Sequence, residues 1–147
     1  MVLPPSQLAS LSTVIAHDIT AITKLDNQLN SLLEALRTNS PNFANQVAVA
    51  YVLHNLSNVL ENSFTQISRT FENHIVNQTQ WHKELLDKMF LEIPFLRPAV
   101  LPETLRKMLN DLRGFRHRLV EQWQQQKVEV IEALNLFCHY LLESSSR

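Results

Sequence analysis

Residues 112–123 read Leu-Arg-Gly-Phe-Arg-His-Arg-Leu-Val-Glu-Gln-Trp, and they contain the only glycine of the chain. Leu112, Phe115, Leu119 and Trp123 follow one another at spacings of three or four residues, the spacing of one face of an α-helix. Sheets depend on glycine-containing turns and draw on aromatic residues, and this chain has few of either. The helical spacing of this stretch and the low glycine and aromatic content of the chain therefore predict an all-α protein.

The length and composition indicate one helical domain. The chain has 147 residues, a size at which a single domain is expected, and we predict that it spans residues 1–147 with frayed ends at 1–5 and 144–147. No apolar run approaches the ~20 residues of a membrane span, and the start lacks the character of a signal peptide. The single cysteine, Cys138, fits a reducing compartment. We expect a cytoplasmic protein without a membrane segment.

The apolar spacing predicts an up-and-down bundle of four to five helices. The expected helices cover residues 6–37, 42–75, 80–91 and 102–142, and the last is either one helix or two with a joint near Gln124. Pro94, Pro98 and Pro102 predict an ordered, extended crossover over residues 93–101.

The first two predicted helices carry the most regular patterns. An apolar residue stands at every seventh position from Leu8 to Leu36, which predicts nearly parallel or antiparallel helix packing. A second apolar series at the same spacing runs beside this one, and Asp18 interrupts it. Asp18 could fix the register of the helices, lie at a solvated end of the bundle, or pair with a buried Arg or His. The second helix is apolar on two faces, so we expect contacts from several sides. One face comprises Phe43, Val47, Tyr51, His54, Phe64, Ile67, Phe71 and Ile75.

Positive charge is concentrated in one region although the net charge of the chain is −1. Residues 97–118 contain six Lys or Arg side chains and two Asp or Glu side chains. Such a patch attracts phosphate when the average charge does not, and a solvated helix face gives the same pattern. Charge alone leaves both interpretations open.

Four segments carry a resemblance to a known family. They are Tyr51-Val-Leu-His-Asn-Leu, Trp81-His-Lys-Glu-Leu-Leu-Asp-Lys-Met, Glu92-Ile-Pro-Phe-Leu-Arg-Pro-Ala-Val-Leu and residues 112–123. Together they resemble the HepT-like toxins of the HEPN superfamily, small helical ribonucleases that pair with an MNT-type nucleotidyltransferase antitoxin. The resemblance covers about residues 8–118. It implies a homodimeric, metal-independent endoribonuclease without a cofactor, whose partners are RNA and the antitoxin.

The family motif, Arg-x4-His-x-Tyr, is incomplete in this chain. Arg116 matches the arginine, and His117 matches the polar residue that often follows it. Glu121 stands where the histidine is expected, and Trp123 stands where the tyrosine is expected. Either the motif was substituted in place or a segment that follows Arg118 in the family is missing here.

Four basic side chains are candidate site residues, and the resemblance itself supplies only the role of Arg116. Arg116 and His117 are the catalytic candidates, and Arg113 and Arg118 are the candidates for binding RNA phosphate. The guanidinium group is always charged and binds phosphate through two parallel hydrogen bonds. On a continuous helix, Arg116 should be half-buried near an interface, and the side chains of Arg116 and His117 should diverge by ~100°.

Two functions of different classes follow from these residues. The first is the toxin component of a HEPN/MNT module, an RNA endoribonuclease impaired by its incomplete motif. The alternative is a non-catalytic helical protein-interaction module that retains the dimer fold. Arg116 and the positive charge favour the toxin, whereas Glu121 and Trp123 favour the interaction module. In both, we expect a homodimer whose last helix and positive patch lie near the two-fold axis.

Overall fold

The computed structural model describes residues 3–38, 42–72 and 81–146, and this part of the chain confirms the all-α prediction. A 3-10 turn, Glu103–Leu105, precedes the fourth of five α-helices. The helices are α1 (Pro5–Thr38), α2 (Phe43–Glu72), α3 (Trp81–Met89), α4 (Arg106–Gly114) and α5 (Leu119–Ser145).

The core forms where three long helices meet. Helix α1 packs along α2 and α5, while α3 and α4 pack against α2 and against each other. The seven-residue repeat of α1 is confirmed, because Leu8, Ile15, Ile22 and Leu29 are buried. Burial of such side chains stabilises each by about 1.5–3 kcal/mol relative to exposure, so this seam holds α1 in place.

Asp18 is buried in the α1 seam and has neutral partners. Its carboxylate accepts hydrogen bonds from Asn62 Nδ2 at 3.0 Å and from Ser63 Oγ at 2.7 Å, both on α2. The interpretation of Asp18 as the partner of a buried Arg or His is therefore wrong. A buried carboxylate needs these donors, so the contact fixes the register of α1 against α2.

The first half of α2 is more exposed than its pattern predicted. Phe43 is 80% and Tyr51 is 66% exposed, and Val47 and His54 are also exposed. Helices α3 and α4 meet α2 further along, around residues 57–64, so they leave this half uncovered. Ile75 was expected on the same face and lies outside the described residues.

The chain between 102 and 145 bends at a place that the sequence did not indicate. The prediction of one helix, or of a joint near Gln124, is wrong: residues 115–118 separate α4 from α5. Phe115 adopts left-handed geometry with φ 53°, and His117 follows with φ 66°. The amides of Phe115 and Arg116 donate to the carbonyl oxygen of Asp111, so the last turn of α4 is closed by a left-handed cap.

Asp111 also holds this joint through its side chain. Its Oδ2 atom accepts hydrogen bonds from Lys107 Nζ on α4 and from Gln122 Nε2 on α5, each at 3.0 Å. Burial raises the pKa of the Asp111 carboxyl, but these two donors and the positive charges of Lys107 and His117 outweigh it. The net pKa lies below the ordinary 3.8.

Helix α1 begins at Pro5 and α5 ends at Ser145, while Met1, Val2 and Arg147 lie outside the described residues, so fraying of the two chain ends stays a prediction. Two smaller expectations need correction. The crossover is not extended, because residues 93–97 form a tight turn. Pro102 precedes a 3-10 turn rather than the first turn of an α-helix.

The described helices are not apolar over long segments. Over the described ranges, no helix has both the length and the hydropathy needed to cross a bilayer.

We predict that Asp111 contributes stability at neutral pH and not in acid. A folded-state pKa below the unfolded one gives stability that is complete above the unfolded value and is lost as the pH falls through the folded value. Asp111→Asn should therefore lower the free energy of unfolding at about pH 7, and the difference from wild type should shrink below about pH 4. Urea unfolding of both proteins at pH values across this range measures the difference in the free energy of unfolding. The control is Glu143→Gln, an exposed carboxyl on α5; a pH-independent effect of Asp111→Asn would contradict the prediction.

Candidate functional site

Three of the predicted site residues lie on a surface loop rather than on a helix. The loop, residues 115–118, joins the end of α4 to the start of α5 and carries Arg116, His117 and Arg118, all exposed. The expectation that Arg116 is half-buried on a helix is therefore wrong. Because the loop is not helical, the ~100° divergence expected for neighbouring helical side chains does not apply to Arg116 and His117.

Gly114 makes room for the Arg116 side chain. A Cβ atom added at Gly114 would stand 2.7 Å from Nε and 3.0 Å from Cζ of Arg116. The guanidinium thus lies back over the last residue of α4. Gly114 itself has no positive φ, so backbone geometry does not require glycine here, and a Cβ atom would displace only the flexible end of the exposed Arg116 side chain.

A surface groove runs beside the loop. Its volume is about 380 Å³, and α2 forms its floor. His117, Arg118 and Glu121 contribute its polar atoms from the loop side. The remaining lining residues are Gln46, Val49, Ala50, Leu53, Phe115, Leu119 and Val120. The contribution of α2 was missed from the sequence, although Val49 and Leu53 belong to its second apolar face.

Glu121 occupies the first turn of α5, at the edge of the groove. Its carboxylate accepts a hydrogen bond from Arg118 Nη1 at 3.4 Å, and both side chains are largely exposed. A carboxylate is favoured at a helix N-terminus by the helix dipole. Glu121 is thus a partner for Arg118, and it is also a negative charge at the edge of any phosphate site.

Trp123 is a core residue and not a surface group. It is fully buried, and its Nε1 atom donates to Asp26 Oδ1 on α1 at 2.9 Å. Lys127 Nζ donates to the same carboxylate at 3.1–3.2 Å. The position where the motif tyrosine is expected therefore faces α1 rather than the groove. Asp26 was missed, because nothing in its neighbouring residues indicates a partner 97 positions away.

Arg113 is separated from the other cations. It is half-buried and lines a small pocket between α2, α3 and α4 that also includes Glu61. Its Nε atom is buried without a hydrogen-bond partner. The structure brings His117 and Arg118 together at one groove, with Arg116 next to them in the chain, whereas Arg113 lines a different pocket. A phosphate-binding role for Arg113 remains a prediction.

Within the described ranges, no group of three or more His, Cys, Asp or Glu side chains is placed to hold a metal ion. The chemistry available at the loop is that of two guanidinium groups, one imidazole and one carboxylate. These groups can bind an anion, and the imidazole can accept or donate a proton.

Comparison with known proteins gives one family. The family model described as HepT-like protein matches residues 48–144, which include α3, α4, the whole loop, nearly all of α5 and most of α2. No curated protein and no solved structure matches the chain. Because the match covers well over half of the chain, this protein belongs to the HepT-like family of the HEPN superfamily.

Proposed function

We propose that this chain is the toxin-type component of a HEPN/MNT module and that it binds RNA through the loop of residues 115–118. The observation that carries the proposal is the exposure of Arg116, His117 and Arg118 side by side at the N-terminus of α5. Family membership supports RNA as the ligand, because the resemblance implies ribonuclease toxins.

The charges at the loop suit a phosphate group. Guanidinium groups bind phosphate oxygens through two parallel hydrogen bonds, and the N-terminus of α5 adds a partial positive charge. Glu121 opposes this charge, but its contact with Arg118 leaves Arg116 and His117 outside that pair. The apolar floor of the groove offers a surface for a base next to the phosphate.

Cleavage is a separate question from binding. Metal-free RNA cleavage needs a group that transfers a proton and a cation that stabilises charge on the phosphate. Arg116 can supply the cation. The carboxylate of Glu121 accepts hydrogen bonds and has no proton to donate to the leaving oxygen, and His117 is the one imidazole that lines the groove among the described residues. We therefore propose that binding exceeds catalysis in this protein.

Control by an antitoxin must also differ from the family pattern. In the family, the nucleotidyltransferase is thought to attach AMP to the motif tyrosine. Trp123 has no hydroxyl group and is buried, so it cannot accept AMP. Silencing by an antitoxin would act by binding, or at a residue outside the motif.

One observation favours the alternative function, a non-catalytic interaction module. Phe43, Val47 and Tyr51 repeat at four-residue spacing along α2 and form an exposed apolar face. This face and the groove share α2. A second copy that covered this face would form a homodimer and place the two loops near the two-fold axis.

RNA binding should depend on salt and on Arg116. We predict that the affinity for a short single-stranded RNA falls with rising salt, and that the slope becomes shallower by roughly 0.7 for each phosphate contact removed. Arg116→Ala should weaken binding at low salt and reduce the slope, whereas Arg37→Ala, an exposed arginine of α1, should do neither. Fluorescence anisotropy measures both. Equal binding by wild type and Arg116→Ala at low salt would remove this proposal.

Cleavage by the unmodified chain should be weak and should increase with an added imidazole. Proton transfer by a positioned side chain typically supplies about 10²–10⁴-fold, and Glu121→His would place an imidazole at the edge of the groove. If the motif was substituted in place, Glu121→His should cleave RNA in the presence of EDTA, and the double variant with Arg116→Ala should not. If a segment was lost, Glu121→His will not help. Strong cleavage by wild type that disappears in His117→Ala would show that the proposed weakness is wrong.

The oligomeric state should depend on the exposed face of α2. We predict a dimer by light scattering at micromolar concentration, because the exposed aromatic side chains of this face gain by burial. Val47→Lys/Tyr51→Lys should give a monomer with unchanged circular dichroism. Leu136→Lys, on an exposed part of α5, is the matched control and should leave the dimer intact. A monomeric wild type would contradict the prediction.

A further inference from the structure

A second surface, distant in sequence from the loop, presents an aromatic side chain at the tip of a turn. In residues 93–97, the amide of Leu96 donates to the carbonyl of Ile93, and the amide of Ile93 donates to the carbonyl of Arg97, each at 3.0 Å. Phe95 has φ 69°, and its side chain is fully exposed. A turn with proline second and left-handed geometry third usually carries glycine in the third place. Phenylalanine there adds strain and exposed apolar area without any contact inside the chain.

The turn that carries Phe95 is firmly anchored. The Arg97 guanidinium is fully buried and donates to the carbonyls of Lys88, Leu91 and Pro98 and to the Glu72 carboxylate. Tyr140 Oη on α5 donates to the carbonyl of Leu96 at 3.2 Å. Phe95 is thus held outward by contacts with α2, α3 and α5.

An open groove begins beside this turn. It lies between residues 98–102 and α5, has a volume of about 530 Å³, and includes Tyr140, the residue that contacts the turn. Leu136 in this groove is 70% exposed. The α5 side is lined by Glu129, Glu132, Ala133, Leu136, Phe137 and Tyr140, the spacing of a single helix face.

The charge of the groove is negative. Glu129 and Glu132 line it, and no Lys, Arg or His does so among the described residues. Among the described residues, the one hydrogen bond to the Glu129 carboxylate comes from the neutral hydroxyl of Thr104, which does not compensate its charge. An apolar strip with two carboxylates is complementary to an apolar strip with cations beside it.

We propose that this groove, together with Phe95 on the adjoining turn, docks a helix of a partner protein that presents apolar side chains flanked by Lys or Arg. The groove follows one face of α5, so its apolar positions match those of a helix laid alongside. A second copy of this chain fits less well, because in an isologous contact the facing surface is the same groove, which offers Glu129 and Glu132 no cation among its described lining residues. Exposed aromatic side chains on a fixed scaffold are the usual anchors of such contacts.

The proposal is independent of the proposed function, since the groove shares no residue with the loop of residues 115–118. Two designed helical peptides test it: one has a leucine stripe flanked by lysines, and the other has glutamates in place of the lysines. Fluorescence anisotropy should show binding of the lysine peptide and not of the glutamate peptide. Glu129→Lys/Glu132→Lys should reverse this preference, whereas Glu34→Lys/Glu84→Lys, at exposed carboxyls on α1 and α3, should leave it unchanged.

Two variants test the apolar part. Leu136→Asp and Phe95→Gly should each weaken the lysine peptide by at least about tenfold. Glycine adopts positive φ without strain, so Phe95→Gly should keep or raise the Tm, whereas a role of Phe95 in folding would lower it. Arg116→Ala should leave peptide binding unchanged, which separates this surface from the RNA site.

Three results would overturn the proposal. They are equal binding of both peptides by wild type, no weakening by Phe95→Gly and Leu136→Asp, and a dimer that Leu136→Asp dissociates. The last would show that the groove belongs to a second copy of the chain.

Discussion

Every reversal of direction in this chain must be made by residues that carry a Cβ atom, because the single glycine is helical and leaves none for the turns. Three residues in the described ranges adopt positive φ, namely Phe95, Phe115 and His117, and none is glycine. Left-handed geometry is unfavourable for such residues and persists only where surrounding contacts enforce it. Here the enforcing contacts are the backbone bonds to Asp111 at one turn and the buried guanidinium of Arg97 at the other. The two surfaces to which we assign binding roles are both built on these turns.

The spacing of apolar residues predicted which helix faces are buried. The seven-residue repeat of α1 and the apolar stripe of α5, including Leu119 and Trp123, are buried as their periodicity indicates. The break before α5 was not predictable in the same way. Its left-handed cap is Phe115, a residue that also fits the apolar stripe, so the pattern continues across the place where the backbone does not. The burial of Phe43, Val47 and Tyr51 was overestimated for a related reason, since periodicity identifies a face and not what covers it.

The structure corrects the local setting of the candidate site, a loop instead of a helix, and the role of its residues stays a prediction. The sequence shows these basic residues as a cluster, but they are exposed because they lie on a loop. A hydrogen bond between Asp111 and Gln122, which lie on different helices, holds that loop in place. The role of Trp123 depends on Asp26, far away on α1. In the family motif this position carries reactive chemistry; in this chain it joins two helices. The Trp123 ring packs in the core, and its only N–H group donates to a carboxylate, so the side chain has a structural role.

The loop of residues 115–118 has a consequence for how this protein changes over evolutionary time. None of its four side chains is buried, whereas Asp111 before it and Leu119 after it are. Extra residues between them would therefore leave the core contacts of α4 and α5 in place, and lengthening an exposed loop costs little closure entropy. Substitution of a buried residue of α5 such as Trp123, by contrast, disturbs the packing against α1. A change in the length of this loop is therefore an easier way to gain or lose a catalytic group in this fold than a change in the identity of the residues that follow it.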